Sequence, residues 1–444
     1  MGWLFLAVSL WGAWFTLNVY RPHYRNVYGS VASFFAGWLT GELALFHVAW
    51  QVVATAIFWS LGALATPAGQ LGIAVTLVSW AGLVAHQLAG MRTADVVEKA
   101  LRSGLGPNYE SDIPSDLRAT FETKVGLAAV LRPYRVHDPD VERIRNIRYK
   151  RVGGINLELD VYRRRGAPKN CPTLLQIHGG GWVMGTKNEQ GLPLMNHLAS
   201  RGWVCISADY RLSPHGTWPD HLIDLKSVIR WIREEGASYG ANPDFLVVTG
   251  GSAGGHLAAM VALTANDPAY QPGFESVDTS VSACIPFYGV YDFTNRYGHW
   301  PNQGLAEVLE TKVMKGSRQE VSALYESASP LSLVDENAPP FLIIHGDRDT
   351  LVPVAEARSF AKELREKSKE PVAYAEIPGA QHAFEIFPSL RTKLVLLGAE
   401  RFAYAMYARY RAKTETAAVP ATDDTAGDAV VDGAQEDSPA QLSA

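Results

Sequence analysis

The segment FLVVTGGSAGGHL, from Phe245 to Leu257, decides how the rest of the chain is read. Phe245–Thr249 is a short apolar run of strand character, and HLAAMVALTA from His256 onward has helix character. Between them stands Ser252, with a glycine two residues away on each side. This is the G-x-S-x-G pattern, a sharp strand-to-helix turn that exposes a serine hydroxyl. Only glycine fits beside so tight a turn, and the strain in it pushes the hydroxyl out of the fold. The pattern alone recurs by accident in glycine-rich loops, so its weight comes from its surroundings.

From about residue 144 the chain alternates strand and helix patterns. Strands are predicted at 156–162, 173–177, 203–208, 245–249, 283–287, 341–345 and 372–377, with amphipathic helices such as 220–235 and 355–368 between them. Continuous apolar strands separated by helices predict an α/β fold, a mostly parallel sheet covered on both faces. Active sites in such sheets collect at the carboxyl ends of the strands. The chemically suggestive residues fall there.

His178-Gly179-Gly180-Gly181-Trp182 directly follows the strand TLLQI. Consecutive glycines let backbone N–H groups turn outward, as an oxyanion hole requires. Gly180 and Gly181 are the expected donors, with the N–H of Ala253 as the third. Serine-elbow hydrolases place the acid and then the histidine after the serine. Four histidines follow Ser252: His256, His299, His345 and His382. His256 lies one helical turn beyond the serine, His299 in an irregular insertion, and His345 at the end of a strand. His382, in the loop PGAQHAF, alone follows the candidate acid Asp349 and is taken as the base. Asp347 shares the loop HGDRDTLVP with Asp349, and Asp292 on the preceding loop remains a rival to it. Asp209-Tyr-Arg-Leu-Ser-Pro214 is expected to buttress the oxyanion loop. The aromatic insertion 290–338 reads as a lid, with residues 100–140 as a further cap.

Residues 1–91 are different in kind, with three charged side chains (Arg21, Arg25, Glu42) and seven of the twelve tryptophans. Apolar stretches at 1–17, 31–64 and 71–90 predict a transmembrane helical anchor of two or three spans, the first marginal in length. Arg21 and Arg25 on one side, and Arg92, Lys99 and Arg102 on the other, flank the 31–90 hairpin. An excess of Lys and Arg marks cytoplasmic segments, which predicts a cytoplasmic catalytic part and an integral membrane protein. Glu42 and His47 inside the second stretch are read as facing headgroups or the bundle interior rather than as a transport site. Residues 411–444 carry the whole formal charge of −5 and few large apolar residues, so a disordered acidic tail is expected. Three scattered cysteines (171, 205, 284) lack any C-x-x-C spacing, and Cys205 and Cys284 read as small core residues. No basic patch with interleaved aromatics points to nucleic acid. No P-loop or dinucleotide fingerprint appears either, and no metal or cofactor is expected.

Taken together, HGGGW at 178–182, DYRLSP at 209–214, GGSAGG at 250–255, the D-x-L-V acid at 349–352 and the loop around His382 resemble the hormone-sensitive-lipase-like, HGGG-motif esterases and lipases of the α/β-hydrolase superfamily. The resemblance spans roughly residues 145–410. It implies a triad of Ser252, Asp349 and His382, and oxyanion donors at Gly180, Gly181 and Ala253. Gly251 and His215 stand where the family commonly carries Asp and Glu, which leaves the triad intact and loosens any substrate assignment. The expected organisation is an anchor (1–91), linker or cap helices (92–143), an α/β-hydrolase domain (144–410) and the tail. The expected activity is hydrolysis of small, lipophilic carboxylic esters through an acyl-enzyme. Amide or thioester hydrolysis by the same groups, or a catalytically idle binding module, are the alternatives.

Overall fold

In the computed structural model, which describes residues 1–119, 121–122, 125–126, 132–166 and 168–418, the alternating pattern resolves into eight strands of one sheet. These are β1 (Val141–Val152), β2 (Ile155–Arg164), β3 (Cys171–Ile177), β4 (Val204–Ala208), β5 (Ala241–Gly251), β6 (Ala283–Phe287), β7 (Phe341–Gly346) and β8 (Val372–Ile377). Their order is β1-β2-β4-β3-β5-β6-β7-β8. The β1–β2 and β2–β4 pairs are antiparallel, and every pair from β4 to β8 is parallel. The seven expected strands are therefore present, and β1 is an addition. Its sequence, VERIRNIRYKRV, carries so many basic residues that no apolar alternation shows. It forms the sheet edge, where charge discourages pairing with another chain. Lys150 on it reaches the buried Asp224 at 2.7 Å.

The longer helices are α1 (Gly2–Tyr20), α2 (Val27–Glu42), α3 (Ala44–Ser60), α4 (Pro67–Ala89), α5 (Thr93–Leu105), α6 (Leu192–Ser200), α7 (Asp220–Glu235), α8 (Ala253–Leu263), α9 (Val354–Lys367) and α10 (Leu390–Ala418). Two apolar cores flank the sheet. One joins Leu222, Leu257 and Phe360 from α7, α8 and α9, and the other joins Leu101, Leu198 and Phe402 from α5, α6 and α10. Helix α5 thus belongs to the body of the hydrolase part. Gly104 sits against Ala373 of β8 and Val97 against Gly398 of α10, so residues 100–105 of the expected cap are packed on the sheet, and residues 120, 123–124 and 127–131 of it lie outside the described residues. Helix α10 continues past residue 410 to Ala418. Residues 419–444, the bulk of the tail read as disordered, lie outside the described residues. Cys205 and Cys284 are buried and unpaired, as their apolar setting predicts.

Helices α1, α3 and α4 form a separate bundle. Phe5 meets Phe58 and Phe15 meets His47, so α3 runs antiparallel to α1. Thr76 bonds Ser9 at 3.0 Å, Thr16 and Ser79 are 2.7 Å apart, and Tyr20 bonds the Gly82 carbonyl at 2.6 Å, so α4 runs parallel to α1. The bundle's polarity is inverted. Ser9, Thr16, Gln51, Thr55, Thr76 and Ser79 are buried, while Trp3, Leu10, Val53, Ile57 and Val78 are exposed. Two helical runs, Gly2–Tyr20 and the one beginning at Pro67, are long and apolar enough to cross a membrane, or three if the bent α2–α3 pair counts as one.

The 31–64 stretch does not form one continuous helix. Helices α2 and α3 meet at 91° across Leu43. The cause is Glu42, whose carboxylate is buried in an ion pair with Arg391 and accepts the Ser389 hydroxyl at 2.6 Å. These bonds hold the end of α2 on the hydrolase part while α3 departs along the bundle. Removing one member of a buried pair strands a charge, at about 3–5 kcal/mol, whereas an apolar pair of similar size costs little. Arg391→Met is therefore expected to lower thermal stability in detergent sharply, and the double variant Glu42→Gln/Arg391→Met to recover most of it. Equal melting temperatures for the parent and Arg391→Met would show that the pair contributes nothing.

Candidate active site

Strand β5 ends in the turn and α8 begins at Ala253, so Ser252 stands between them at φ +60° and ψ −122°. A positive φ is strained for a residue with a Cβ and is the elbow geometry expected of an exposed nucleophile. Its N–H bonds the Phe287 carbonyl at 3.0 Å, which ties the turn to β6. A side chain at Gly254 would collide with the Ile177 carbonyl, and this is why a glycine must follow.

The glycine loop after β3 lies directly beside this serine. A Cβ built on Gly179 would fall 3.1 Å from the Ser252 Cβ. Gly180 and Gly181 have φ of +112° and +59°, open to glycine and costly to other residues. Among the described residues no protein acceptor takes the N–H of Gly180, Gly181 or Ala253. The three amides expected to bind an oxyanion are thus unspent. The loop is braced as the DYRLSP segment predicts. Tyr210 Oη donates to the His178 carbonyl at 3.0 Å, Ser213 N to the Trp182 carbonyl at 2.8 Å, and Lys187 N to Asp209 at 2.7 Å.

The acid and the histidine come together at the ends of β7 and β8. His382 Nδ1 lies 2.6 Å from Asp349 Oδ2. The other carboxylate oxygen accepts the N–H groups of Leu351 and Val352 at 2.9 and 2.8 Å. Burial alone would raise the Asp349 carboxyl, but the charge and hydrogen bonds of His382 and His345 override it and hold the group well below the usual carboxylate range. The rival Asp292 is spent on its own turn, accepting from Thr294 and Arg296. Asp347 accepts the Gly379 N–H. His256 is packed away from the site, taking Trp182 Nε1 at 3.2 Å and facing the Ala328 carbonyl at 2.8 Å, and burial pulls it down to about 3.

Four participants escape sequence reasoning. His345 Nε2 approaches Asp349 Oδ2 at 3.2 Å; its i, i+4 spacing from the acid was the available signal. Gln381 accepts both Thr350 N (2.7 Å) and His382 N (2.9 Å), clamping the two loops together. Tyr288 lies 4.5 Å from the His382 ring and bonds the buried Glu385, whose carboxyl burial pushes up to about 6. The fourth is α2. Its Phe34 ring stands edge-on to His382 at 6.1 Å, and Thr350 Oγ1 donates to the Ser30 carbonyl at 3.0 Å. The insertion after β6 reaches the same helix, since Asn302 Nδ2 bonds Tyr24 O and Ser30 Oγ at 2.8 and 2.9 Å. Nothing in a run of apolar residues signals that one of its helices lies on the active face.

The family model BD-FAE matches residues 159–364. The probable carboxylic ester hydrolase LipM of Mycobacterium tuberculosis is 41% identical over 416 residues, covering 90% of this chain and 92% of its own length. Esterase LipQ of the same organism is 39% identical over 325 residues, covering 72% and 76%. A solved structure described as a truncated carbohydrate esterase from gut microbiota aligns at a TM-score of 0.51 and 22% identity, over 60% of this chain and 99% of its own; it supports the fold alone.

One buried carboxyl, at the start of α9, is shifted into an unusual range. Glu356 is buried against the loop after β6, accepting from Tyr291 N, Asp292 N and Trp300 Nε1 at 2.8–3.0 Å. Burial raises its carboxyl to about 7. Between the ordinary value near 4.5 and about 7 the folded state holds a proton that the unfolded chain has shed, so stability is greatest below that window and falls as pH rises through it. The loss is on the order of 3 kcal/mol. Thermal melts of the parent and of Glu356→Gln at pH 5 to 8 should show a falling trend that the variant flattens; parallel trends would refute the assignment.

Proposed function

Because the chain belongs to the hormone-sensitive-lipase-like carboxylic ester hydrolases of the α/β-hydrolase superfamily, we propose that Ser252 is the nucleophile, His382 the general base and acid, and Asp349 the residue that orients the histidine. The chain is a carboxylesterase, and the question is how its residues divide the work. The observation that carries the division is the 2.6 Å contact between His382 and Asp349, on loops bordering a serine at positive φ. Asp349 holds the proton on Nδ1, which leaves Nε2 to take the Ser252 proton as the oxygen attacks the ester carbonyl. The carbonyl oxygen becomes negative as the tetrahedral intermediate forms, and the N–H groups of Gly180, Gly181 and Ala253 bind it there. His382 then protonates the departing alcohol. Water, deprotonated by the same nitrogen, releases the acid from the acyl-enzyme.

The substrate we propose is a lipophilic ester drawn from a bilayer. The inverted polarity of the α1, α3 and α4 bundle supports a membrane setting, because an exposed surface of Trp, Leu, Val and Ile over a polar interior suits lipid. The 416-residue match with LipM in a 444-residue chain also reaches into this apolar segment. Arg21, Arg25 and Arg92 lie at the hydrolase end of the bundle, which favours a cytoplasmic active site. Val31 and Phe35, exposed on the helix whose Phe34 faces His382, would offer it an apolar rim.

Ser252→Ala and His382→Ala are each expected to lower kcat by about 10⁴-fold or more, and Asp349→Asn by about 10⁴-fold. Labelling by a fluorophosphonate probe should vanish with Ser252→Ala; labelling that persists would place the nucleophile elsewhere. Against matched ester, thioester and anilide substrates in vesicles, kcat/KM should be highest for the ester and rise with acyl length. A preference for the anilide, or for short water-soluble esters, would overturn the corresponding part of the proposal.

A further inference from the structure

Ala383, the residue after the proposed base, has φ +58° and ψ +26°, a left-handed conformation that is costly for any residue with a Cβ. It is not held by its own loop alone. Its carbonyl accepts the Ile386 N–H at 3.3 Å and, more closely, the indole Nε1–H of Trp38 at 2.9 Å. Trp38 comes from α2, more than three hundred residues earlier in the chain. Its ring stacks on Phe34 (5.3 Å, 10° between planes), and Phe34 in turn stands edge-on to His382. Trp38 also packs on Phe387 at 5.1 Å. The turn that aims His382 is therefore clamped through a backbone carbonyl by a residue outside the hydrolase part.

The seat of α2 is itself double-ended. Thr350 Oγ1 bonds Ser30 O near the start of the helix, and Glu42 bonds Ser389 and Arg391 at its end. Ser33 on the same helix donates to Asn18 of α1 at 2.7 Å. Helix α2 thus joins the bundle to both the acid loop and the histidine loop.

We propose that Trp38 is a positioning residue for catalysis. Its N–H keeps the strained 382–383 turn in the conformation that presents the imidazole to Ser252, so the apolar N-terminal segment is part of the catalytic apparatus as well as a tether. The inference rests on His382 being the base. It predicts that the turn needs the Trp38 bond only because Ala383 carries a Cβ. Glycine adopts positive φ without that cost, so Ala383→Gly should compensate for loss of the indole donor.

The test uses the full chain in vesicles with a soluble p-nitrophenyl ester. Trp38→Phe keeps the stack on Phe34 and removes the donor. It is expected to lower kcat and the fluorophosphonate labelling rate about ten-fold, roughly the worth of one hydrogen bond in a barrier, with KM within about two-fold by the same logic that unchanged binding leaves KM alone. The double variant Trp38→Phe/Ala383→Gly should regain most of the lost kcat. Trp38→Leu, which lacks donor and ring, should lose at least as much as Trp38→Phe when rates are normalised to folded protein. A parental kcat in Trp38→Phe, or a loss that Ala383→Gly does not relieve, overturns the inference while His382→Ala remains inactive. An active His382→Ala would instead overturn the triad beneath it.

Discussion

The loops of the active face converge on the Asp349 carboxylate. One of its oxygens takes two backbone N–H groups of its own loop, and the other is shared by His382 and His345. A buried carboxylate is tolerable only when its charge is answered, and here the answer comes from the end of β7 and the loop after β8 together. Gln381 repeats the link one residue away by accepting from both loops. The histidine is consequently located by the sheet, since adjacent parallel strands fix where the two loops emerge. The strained turns at Ser252 and Ala383 persist because the surrounding structure over-determines them.

The N-terminal segment distributes its side chains by a different rule. In the hydrolase part apolar side chains fill two cores around the sheet, whereas in the bundle hydroxyl and amide groups turn inward and large apolar groups turn outward. The bundle's helices meet through hydroxyl contacts, Ser9–Thr76 and Thr16–Ser79. Helix α2 reconciles the two regimes. Its Phe34 enters the hydrolase core, its Ser33 bonds α1, and its final residue forms a buried ion pair with Arg391.

Much of the catalytic part was legible from residues alone. The parallel strands announce themselves because a strand buried on both faces is apolar along its whole length, and the loops at their carboxyl ends carry the few residues able to do chemistry. The edge strand β1 was invisible for the opposite reason: an exposed edge favours charge, and its arginines hide the period. Glu42 faces neither headgroups nor the bundle interior, as its place in an apolar stretch suggested, but Arg391 of the hydrolase part, and no local pattern connects two charges separated by most of the chain.

The sequence by itself determined the candidates for reaction and the order in which they occur along the chain, because the elbow, the glycine loop and the order of acid and histidine are local patterns at β-to-α turns. It also marked residues 1–91 as different in kind, with only three charged side chains. Only the tertiary structure decided that the 31–64 stretch breaks at Leu43, that α5 joins the body of the sheet, and that α2 lies against the histidine loop. Those outcomes follow from long-range contacts, Glu42 to Arg391 and Trp38 to Ala383 for α2 and apolar packing on β8 and α10 for α5, whose energies depend on burial and geometry created by the fold itself. Hydropathy records how apolar a helix is, and it is silent on which protein surface that helix will meet.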